Sequence, residues 1–402
     1  MRRTRLEARI DASVQDSRVT LLHGLPRVGR TRIVNDWADR RGDVAIISAD
    51  GQAPDAPILL FDHVREADVA GFLMRFREYE AASRPTRFVV VPSSLFATRQ
   101  LSAELAGAVR QIDVEPMQLE DYLNEAASVS DAQGPVCTAL PQPVATDAAP
   151  PNHNIHWLRG GLPPSINADS DEASLTWRRD MLGGLFDRNY SSWSLPTGVS
   201  LLHVLQWAAN KPGSELIDTD CPNVKKTDLL TALYILDRLG VTRRLSNYPA
   251  GTNAGMAKKE KLYIRDSGLL HAMMGIATVE QLRTHVEIGE SWESYGLEAL
   301  ILAAGGLATA QYYRMMGDNG QEEIDLVLDF KPRLARVIAC EFKTSPNKEP
   351  RPGFFSACAK IEATDRFVVH SGPAADLDHS VHRLDLTTAV RRIAETALEA
   401  GA

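Results

Sequence analysis

One short glycine-containing segment constrains this chain more than any other. Residues 24–31 read GLPRVGRT, which has the spacing G-x-x-x-x-G-[K]-[ST] with arginine in the lysine position. The segment follows the apolar run RVTLLHG and opens TRIVNDWADRR, whose apolar residues recur at helical spacing. Glycines let backbone N–H groups surround phosphates, and the N-terminus of the following helix favours negative charge. The segment therefore predicts a phosphate-binding loop between a strand and a helix.

The residues around this loop predict the fold that carries it. RVTLLHG, DVAIISAD, PILLFDH and TRFVVVPSS are apolar, β-branched runs of the kind buried in parallel sheets, and helical segments lie between them. Strands that alternate with helices indicate an α/β sheet with right-handed crossovers. We therefore predict a P-loop NTPase core over residues 1–126.

Two strand ends and the loop supply the predicted nucleotide site. Asp62 ends the apolar run ILLFD, in the form of a Walker B strand whose aspartate holds the metal. His63 occupies the position where AAA-type ATPases carry the glutamate that polarises the attacking water. The expected ligands are ATP and Mg²⁺. The nucleotide ligands are Gly24, Arg27, Gly29, Arg30, Thr31, Asp62 and Ser93, with Mg²⁺ on Thr31 and Asp62 and with His63 in the catalytic position.

Two residues that depart from the usual motif affect nucleotide binding and nucleotide hydrolysis differently. Arg30 keeps the positive charge of the usual lysine, but its guanidinium is planar and bulkier than an ammonium. His63 replaces the carboxylate that would activate water. We therefore expect nucleotide binding with slow or absent hydrolysis.

The remainder of the chain divides by composition and periodicity. Residues 127–154 are rich in Ala, Pro, Ser, Asp and Asn without periodicity, which predicts a flexible insertion or linker. Residues 155–195 predict a helical lid segment. Residues 196–285 combine helices with a basic hairpin, which suggests a winged-helix-like domain, and residues 286–402 predict a second α/β unit.

Charge and composition limit the classes of partner. The net charge of −8 does not favour general nucleic-acid binding, but residues 242–265 carry six basic residues against Glu260. This strip predicts a contact with a phosphate backbone, and the alternative is a solvated basic surface. No apolar run approaches the roughly 18–20 residues of a membrane span, and the four scattered cysteines indicate a reducing compartment. We predict a cytoplasmic protein without a membrane partner.

The C-terminal unit contains a second candidate site. Asp325, Glu341 and Lys343 form a D-x15-E-x-K pattern on two successive predicted strands, and residues two apart on a strand share a face. Two carboxylates and an ammonium that converge resemble a restriction-endonuclease-like site, in which acids hold Mg²⁺ and lysine activates water. Glu293 on the preceding helix is a further predicted metal ligand. The alternative is a surface ladder of salt bridges.

The order of several motifs resembles a prokaryotic family of AAA-type ATPases fused to a C-terminal domain of unknown function. The segments that carry the resemblance are GLPRVGRT, LAGAVRQIDVEPMQLEDYL, WLRGGLPPS with TWRRDML, KLYIRDSGLLHAMMG, and QEEIDLVLDF with ACEFKTS. The resemblance covers nearly the whole chain except residues 127–154. It implies an AAA-type core and a C-terminal domain with a restriction-endonuclease-like fold. The family usually keeps the loop lysine and the Walker B glutamate, which this chain lacks.

Three functions are compatible with these patterns. The first is a nucleotide-dependent switch coupled to a nuclease-like, nucleic-acid-associated C-terminal domain, with a second copy or another protein as a further partner. The second is a non-catalytic interaction or scaffold protein in which both sites have decayed. The third is a nuclease that acts independently of nucleotide.

Overall fold

The computed structural model describes residues 3–47, 54–123, 153–187, 198–216, 221–249, 259–317, 320–372 and 381–401. The insertion predicted at residues 127–154 lies outside the described residues, except for its last two. Those two residues begin the helix His153–Arg159.

The N-terminal part is a five-stranded parallel sheet with the strand order β2-β3-β4-β1-β5. Its strands are β1 (Val19–His23), β2 (Val44–Ile47), β3 (Ile58–Val64), β4 (Arg87–Pro92) and β5 (Val109–Asp113). The helices are α1 (Thr4–Asp16), α2 (Arg30–Arg41), α3 (Val69–Ala81) and α4 (Leu95–Glu104), and Glu66–Asp68 forms a short 3-10 turn. This arrangement confirms the predicted α/β architecture with an N-terminal parallel sheet.

The three central strands of this sheet are apolar along their length because helices cover both faces. Leu22, Leu60 and Val89 belong to the core that includes α1 and α2. Leu21 and Phe61, from the same strands, pack instead with α3 and α4. A strand buried on both faces gains from an apolar residue at every position, which explains the continuous runs in the sequence.

The middle of the chain is helical and contains one antiparallel hairpin. Its helices are α5 (His153–Arg159), α6 (Pro163–Ile166), α7 (Asp171–Asp187), α8 (Leu201–Ala209), α9 (Lys226–Arg238), α10 (Ser267–Met274) and α11 (Val279–Thr284). The hairpin pairs β6 (Thr242–Ser246) with β7 (Glu260–Ile264). The fully buried Arg178 of α7 donates hydrogen bonds to the carbonyls of Leu158 and Gly268, which joins α7 to α5 and α10.

The C-terminal part is a mixed five-stranded sheet with the order β12-β11-β10-β9-β8. Its elements are α12 (Ile288–Ala303), β8 (Thr309–Gly317), β9 (Gly320–Asp329), β10 (Val337–Lys343), α13 (Pro352–Lys360), β11 (Asp365–His370), β12 (His382–Asp385) and α14 (Leu386–Gly401). Strands β8, β9 and β10 are antiparallel neighbours, whereas β10, β11 and β12 are parallel. Residues of α12 and α14 pack in one core, and residues of α13 pack in another.

The hairpin of the middle part lies beside the edge strand of the C-terminal sheet. Asn247 forms a parallel bridge with Tyr312, and the amide of Tyr248 donates to the carbonyl of Tyr312 at 2.6 Å. Trp157 and Tyr263 from the middle part belong to the C-terminal core. Packing therefore continues across the predicted boundary at residue 286, and the winged-helix-like assignment of residues 196–285 stays a prediction.

Candidate functional site

The phosphate loop lies between β1 and α2, as the motif predicts. Gly29 caps α2 with left-handed backbone angles, φ 95° and ψ 18°, which glycine adopts without steric cost. A side chain at Gly24 would clash with the carbonyl oxygen of Val114. Arg27 also has a positive φ of 66°, and its side chain is exposed. The loop conformation therefore depends on the two glycines whose spacing defines the motif.

The predicted magnesium ligands Thr31 and Asp62 lie together at the carboxyl edge of the sheet. Thr31 Oγ1 donates to Asp62 Oδ1 at 3.3 Å, although 31 residues separate them in sequence. Mg²⁺ prefers oxygen ligands and usually keeps several waters, so one hydroxyl and one carboxylate beside the nucleotide phosphates are a sufficient protein contribution. These two side chains fit the ion that the motif implies.

Arg30 is held by the protein rather than left at the mouth of the loop. Its Nη1 donates to the carbonyl oxygen of Pro92, the last residue of β4, at 2.7 Å. Burial lowers the pKa of the Arg30 guanidinium and the nearby Asp62 carboxylate raises it, but a guanidinium stays charged at any ordinary pH. The positive charge of Arg30 is thus present next to the loop, and one N–H donor of its guanidinium is already engaged by the Pro92 carbonyl.

A β-bulge shapes the strand end that carries Asp62 and His63. The register between β3 and β4 shifts between Phe61 and Val64, and His63 has a positive φ of 61°. The His63 amide donates to Asp62 Oδ1 at 2.9 Å, and the imidazole is exposed. Bulges of this kind re-aim side chains and are frequent beside active sites.

Ser93 follows β4, the strand that lies between β1 and β3. The carboxyl end of β4 therefore lies between the phosphate loop and Asp62, where a group that contacts the γ-phosphate is expected. The Ser93 amide donates to the carbonyl of Val64 at 2.9 Å, which fixes the turn. The neighbouring Ser94 has a different role, because its hydroxyl accepts from the Ala97 amide and caps α4.

The segment predicted as a lid faces the phosphate loop across a cleft of about 330 Å³. Its lining residues are Pro26 and Arg27 of the loop and Trp177, Asp180, Met181, Gly184 and Leu185 of α7. Sequence reasoning did not select Asp180, because its position opposite the loop depends on how α7 packs.

The structure brings the C-terminal candidates Asp325, Glu341 and Lys343 together where the middle of β9 lies beside the carboxyl end of β10. The register that pairs Cys340 with Leu326 places Glu341 next to Asp325 at its next step. Asp325 Oδ2 accepts from the Phe342 amide at 2.9 Å, and Lys343 Nζ lies 2.5 Å from Glu341 Oε1. Burial, and then the nearby Glu293 carboxylate, raise the pKa of Asp325 to about 7. Burial also raises the pKa of Glu341.

Glu293 lies near this cluster but is occupied by other groups. Its Oε1 accepts from the Tyr263 hydroxyl at 2.7 Å and lies 3.6 Å from Lys261 Nζ. Sequence reasoning missed Lys261 and Glu323 as members of the same cluster. No local signal separated them from their neighbours, because Glu260 precedes Lys261 in β7 and Glu322 precedes Glu323 in β9.

The basic side chains of the hairpin that the structure describes are all paired with carboxylates. Arg243 and Arg265 both contact Glu298, at 2.5 and 2.7 Å. The other pairs are Arg244 with Asp237 and Glu260, Lys259 with Glu215, and Lys261 with Glu323. Lys258 lies outside the described residues. The positive charge that suggested nucleic-acid binding is therefore largely neutralised within the chain, and that partner stays a prediction.

Comparison with known proteins gives partial matches. Residues 152–280 match a family described as a domain of unknown function (DUF8612). Over 295 residues, which are 72% of its length, the chain is 31% identical to uncharacterized proteins of Mycobacterium tuberculosis and Mycobacterium bovis. The match spans 59% of the length of these relatives.

The solved structures with distant similarity include the following two. One is a Walker-type ATPase of Pyrococcus abyssi, at a TM-score of 0.43 and 12% identity over 68% of this chain and 95% of that chain. The other is described as a DNA replication initiation factor, at a TM-score of 0.24 and 11% identity over 58% of this chain and 85% of that chain. At these scores neither structure bears on the activity of this chain. Within the described ranges, no helix is both long and apolar enough to cross a bilayer.

Proposed function

We propose that the chain is an AAA-type nucleotide-dependent switch that binds ATP with Mg²⁺ at the phosphate loop and hydrolyses it slowly or not at all. The observation that carries the proposal is the contact between Thr31 Oγ1 and Asp62 Oδ1 at 3.3 Å. It places a hydroxyl and a carboxylate beside a loop whose left-handed Gly29 opens a helix N-terminus. Backbone amides and the helix dipole would hold the phosphates, and the two oxygens would hold the ion.

The weak hydrolysis in this proposal follows from two side chains. The Arg30 guanidinium donates to the Pro92 carbonyl, so it is less available to stabilise charge on a transferring phosphoryl group. The His63 imidazole lacks the carboxylate oxygens that usually orient the attacking water. In this proposal ATP binding orders the lid, while ATP hydrolysis is slow.

The binding step is tested by titrating the full chain with a fluorescent ATP analogue in the presence and absence of Mg²⁺. We expect saturable binding that Thr31→Ala and Asp62→Asn each weaken by about 10-fold or more when Mg²⁺ is present. Thr227→Ala, at an exposed position on α9, is the matched control and should leave binding unchanged. Absence of binding at millimolar ATP and Mg²⁺ would refute the proposal.

For the C-terminal part, the coupled function in this proposal is nuclease-like action on a nucleic acid. Its support is the placement of Asp325, Glu341 and Lys343 close together on the neighbouring strands β9 and β10, together with a buried Glu341 Oε2 that has no hydrogen-bond partner among the described residues. Metal-dependent cleavage of DNA or RNA that is lost in Asp325→Ala and in Lys343→Ala would support it. Cleavage that is the same with and without ATP would instead favour a nucleotide-independent nuclease.

The second candidate is a non-catalytic interaction protein. It is favoured by the internal hydrogen bond of Arg30 and by the absence, within the described ranges, of any group of three His, Cys, Asp or Glu side chains able to hold a metal. Under this alternative the chain neither hydrolyses ATP nor cleaves nucleic acid. The substitutions at Thr31 and Asp62, and those at Asp325 and Lys343, then leave the binding of its protein partner unchanged.

A further inference from the structure

Lys261 is a lysine in a position where lysine is seldom found. It lies on β7, and only 2% of its side chain is exposed. Its Nζ donates to Glu323 Oε1 at 2.8 Å and lies 3.6 Å from Glu293 Oε1. A buried ammonium is costly unless carboxylates surround it, so these contacts are the reason that this side chain can stay charged.

The cluster around Lys261 contains several cationic side chains. Glu323 is contacted by three cations: Lys261 at 2.8 Å, Arg314 at 2.5 Å and Arg351 at 3.2 Å. Lys343 pairs with Glu341. Four cationic side chains, which are Lys261, Arg314, Lys343 and Arg351, therefore lie among the acidic Glu293, Glu323, Asp325 and Glu341, and Arg314 also lies 3.6 Å from Glu215.

This cluster does not fit Mg²⁺ in the conformation described. Mg²⁺ requires near-octahedral oxygen ligands and would add two positive charges beside the four cationic side chains already present. One oxygen of each acid is engaged: Asp325 Oδ2 with the Phe342 amide, Glu341 Oε1 with Lys343, and Glu293 Oε1 with Tyr263 and Lys261. No three of these acids converge on one point in the described part of the chain. The metal site predicted from Glu293, Asp325 and Glu341 is therefore not formed here.

We propose that Lys261 is the resident cation of this acidic cluster and takes the place of a divalent metal ion. The lysine comes from the β6–β7 hairpin, whereas the acids come from α12, β9 and β10. A metal ion can therefore enter only when Lys261 leaves, and the position of the hairpin controls the state of the C-terminal site. This inference concerns the C-terminal cluster and does not depend on nucleotide binding.

The experiment measures Mn²⁺ binding to the full chain by electron paramagnetic resonance without nucleotide. All variants carry Asp62→Asn, which removes the carboxylate of the N-terminal metal site. We expect Lys261→Met to bind one Mn²⁺ per chain at least about 10-fold more tightly than the parent, which corresponds to about 1.4 kcal/mol. Adding Asp325→Asn should abolish that gain, and the charge-conserving control Lys261→Arg should resemble the parent. A folded Lys261→Met chain that binds Mn²⁺ no better than the parent overturns the proposal.

A second measurement needs no substitution at Lys261, in case Lys261→Met does not fold. The melting temperature of the Asp62→Asn chain is recorded with and without millimolar Mn²⁺. A ligand that binds only the folded state raises this temperature, so a lysine-occupied cluster predicts no rise. A rise that disappears with Asp325→Asn shows that metal enters despite Lys261 and rejects the inference.

Discussion

At the scale of single residues, the partner of Arg30 matters more than its charge. A lysine in this loop would present a compact ammonium with three rotatable donors to the phosphates. The planar guanidinium of Arg30 instead reaches the end of β4 and donates to the Pro92 carbonyl. The positive charge of Arg30 therefore still favours phosphate binding. Its hydrogen bond to Pro92, however, restrains the guanidinium from contacting the charge that develops on the phosphoryl group in the transition state.

We expect Arg30→Lys to raise the rate of ATP hydrolysis by at least about 10-fold, because the released ammonium can contact the phosphates during transfer. Phosphate release under saturating ATP and Mg²⁺ measures this rate. Arg32→Lys is the control, since Arg32 is exposed on the same helix and pairs only weakly with Asp36 at 3.7 Å. An unchanged rate in Arg30→Lys would place the block to hydrolysis at His63 instead.

At the scale of elements, one close approach fixes α12 against the C-terminal sheet. A Cβ at Gly296 of α12 would lie 2.6 Å from the Phe342 ring of β10, closer than such atoms approach in proteins. Because Phe342 lies between Glu341 and Lys343 in β10, this contact also sets the position of those two candidate residues relative to α12. The small residue is required by packing, since an α-helical backbone would accept alanine readily.

We expect Gly296→Ala to lower the free energy of unfolding by about 1–3 kcal/mol because the added methyl group overpacks this contact. Gly289→Ala is the matched control on the same helix, where the added methyl group meets nothing within 4 Å. That control should be neutral or stabilising by up to about 1 kcal/mol. Urea unfolding of both variants checks the difference, and equal stabilities would contradict the packing argument.

At the scale of the whole molecule, two buried histidines join the three parts of the chain. His156 Nε2 donates to the Met117 carbonyl, and its Nδ1 accepts from the Tyr295 hydroxyl, both at 2.9 Å. His271 Nδ1 donates to the Leu158 carbonyl, and its Nε2 accepts from Ser291 Oγ at 2.7 Å. Each imidazole uses one donor and one acceptor, which is the pattern of the neutral ring.

Burial lowers the pKa of His156 to about 4 and that of His271 to about 3. The unfolded chain therefore binds more protons than the folded chain below the ordinary histidine pKa of 6.5. We expect the free energy of unfolding to fall as the pH decreases from about 6.5 towards 4.

Urea unfolding between pH 7.5 and pH 4.5 measures this pH dependence. His156→Gln should reduce its slope, although the variant is less stable at pH 7.5. The control His203→Gln, whose ring bonds the Pro222 carbonyl at an exposed site, should keep the slope of the parent. A slope in His156→Gln that equals the slope of the parent would refute the neutral-histidine assignment, because buried Asp325 and Glu341, whose pKa values are raised, contribute the opposite slope in both chains.

Local patterns determined the elements but not the alignment of the units. The parallel N-terminal sheet followed from apolar runs, because a strand buried on both faces leaves a continuous signal in sequence. The glycine loop followed from spacing, because left-handed backbone and close approach restrict Gly29 and Gly24 directly. The boundaries between units left no such signal, since side chains from before and after residue 286 pack in the same core.

The sequence by itself determined the phosphate loop, the strand ends with Asp62 and Ser93, and the pattern of Asp325, Glu341 and Lys343. Only the tertiary structure decided what those groups contact. Arg30 meets a carbonyl 62 residues away and Lys261 meets a carboxylate 62 residues away. Charge is visible in a sequence, but its neutralisation depends on distance in space, and packing across distant elements sets that distance. For this reason the basic hairpin suggested a nucleic-acid surface, whereas the fold uses its described charges to hold α12 and β9.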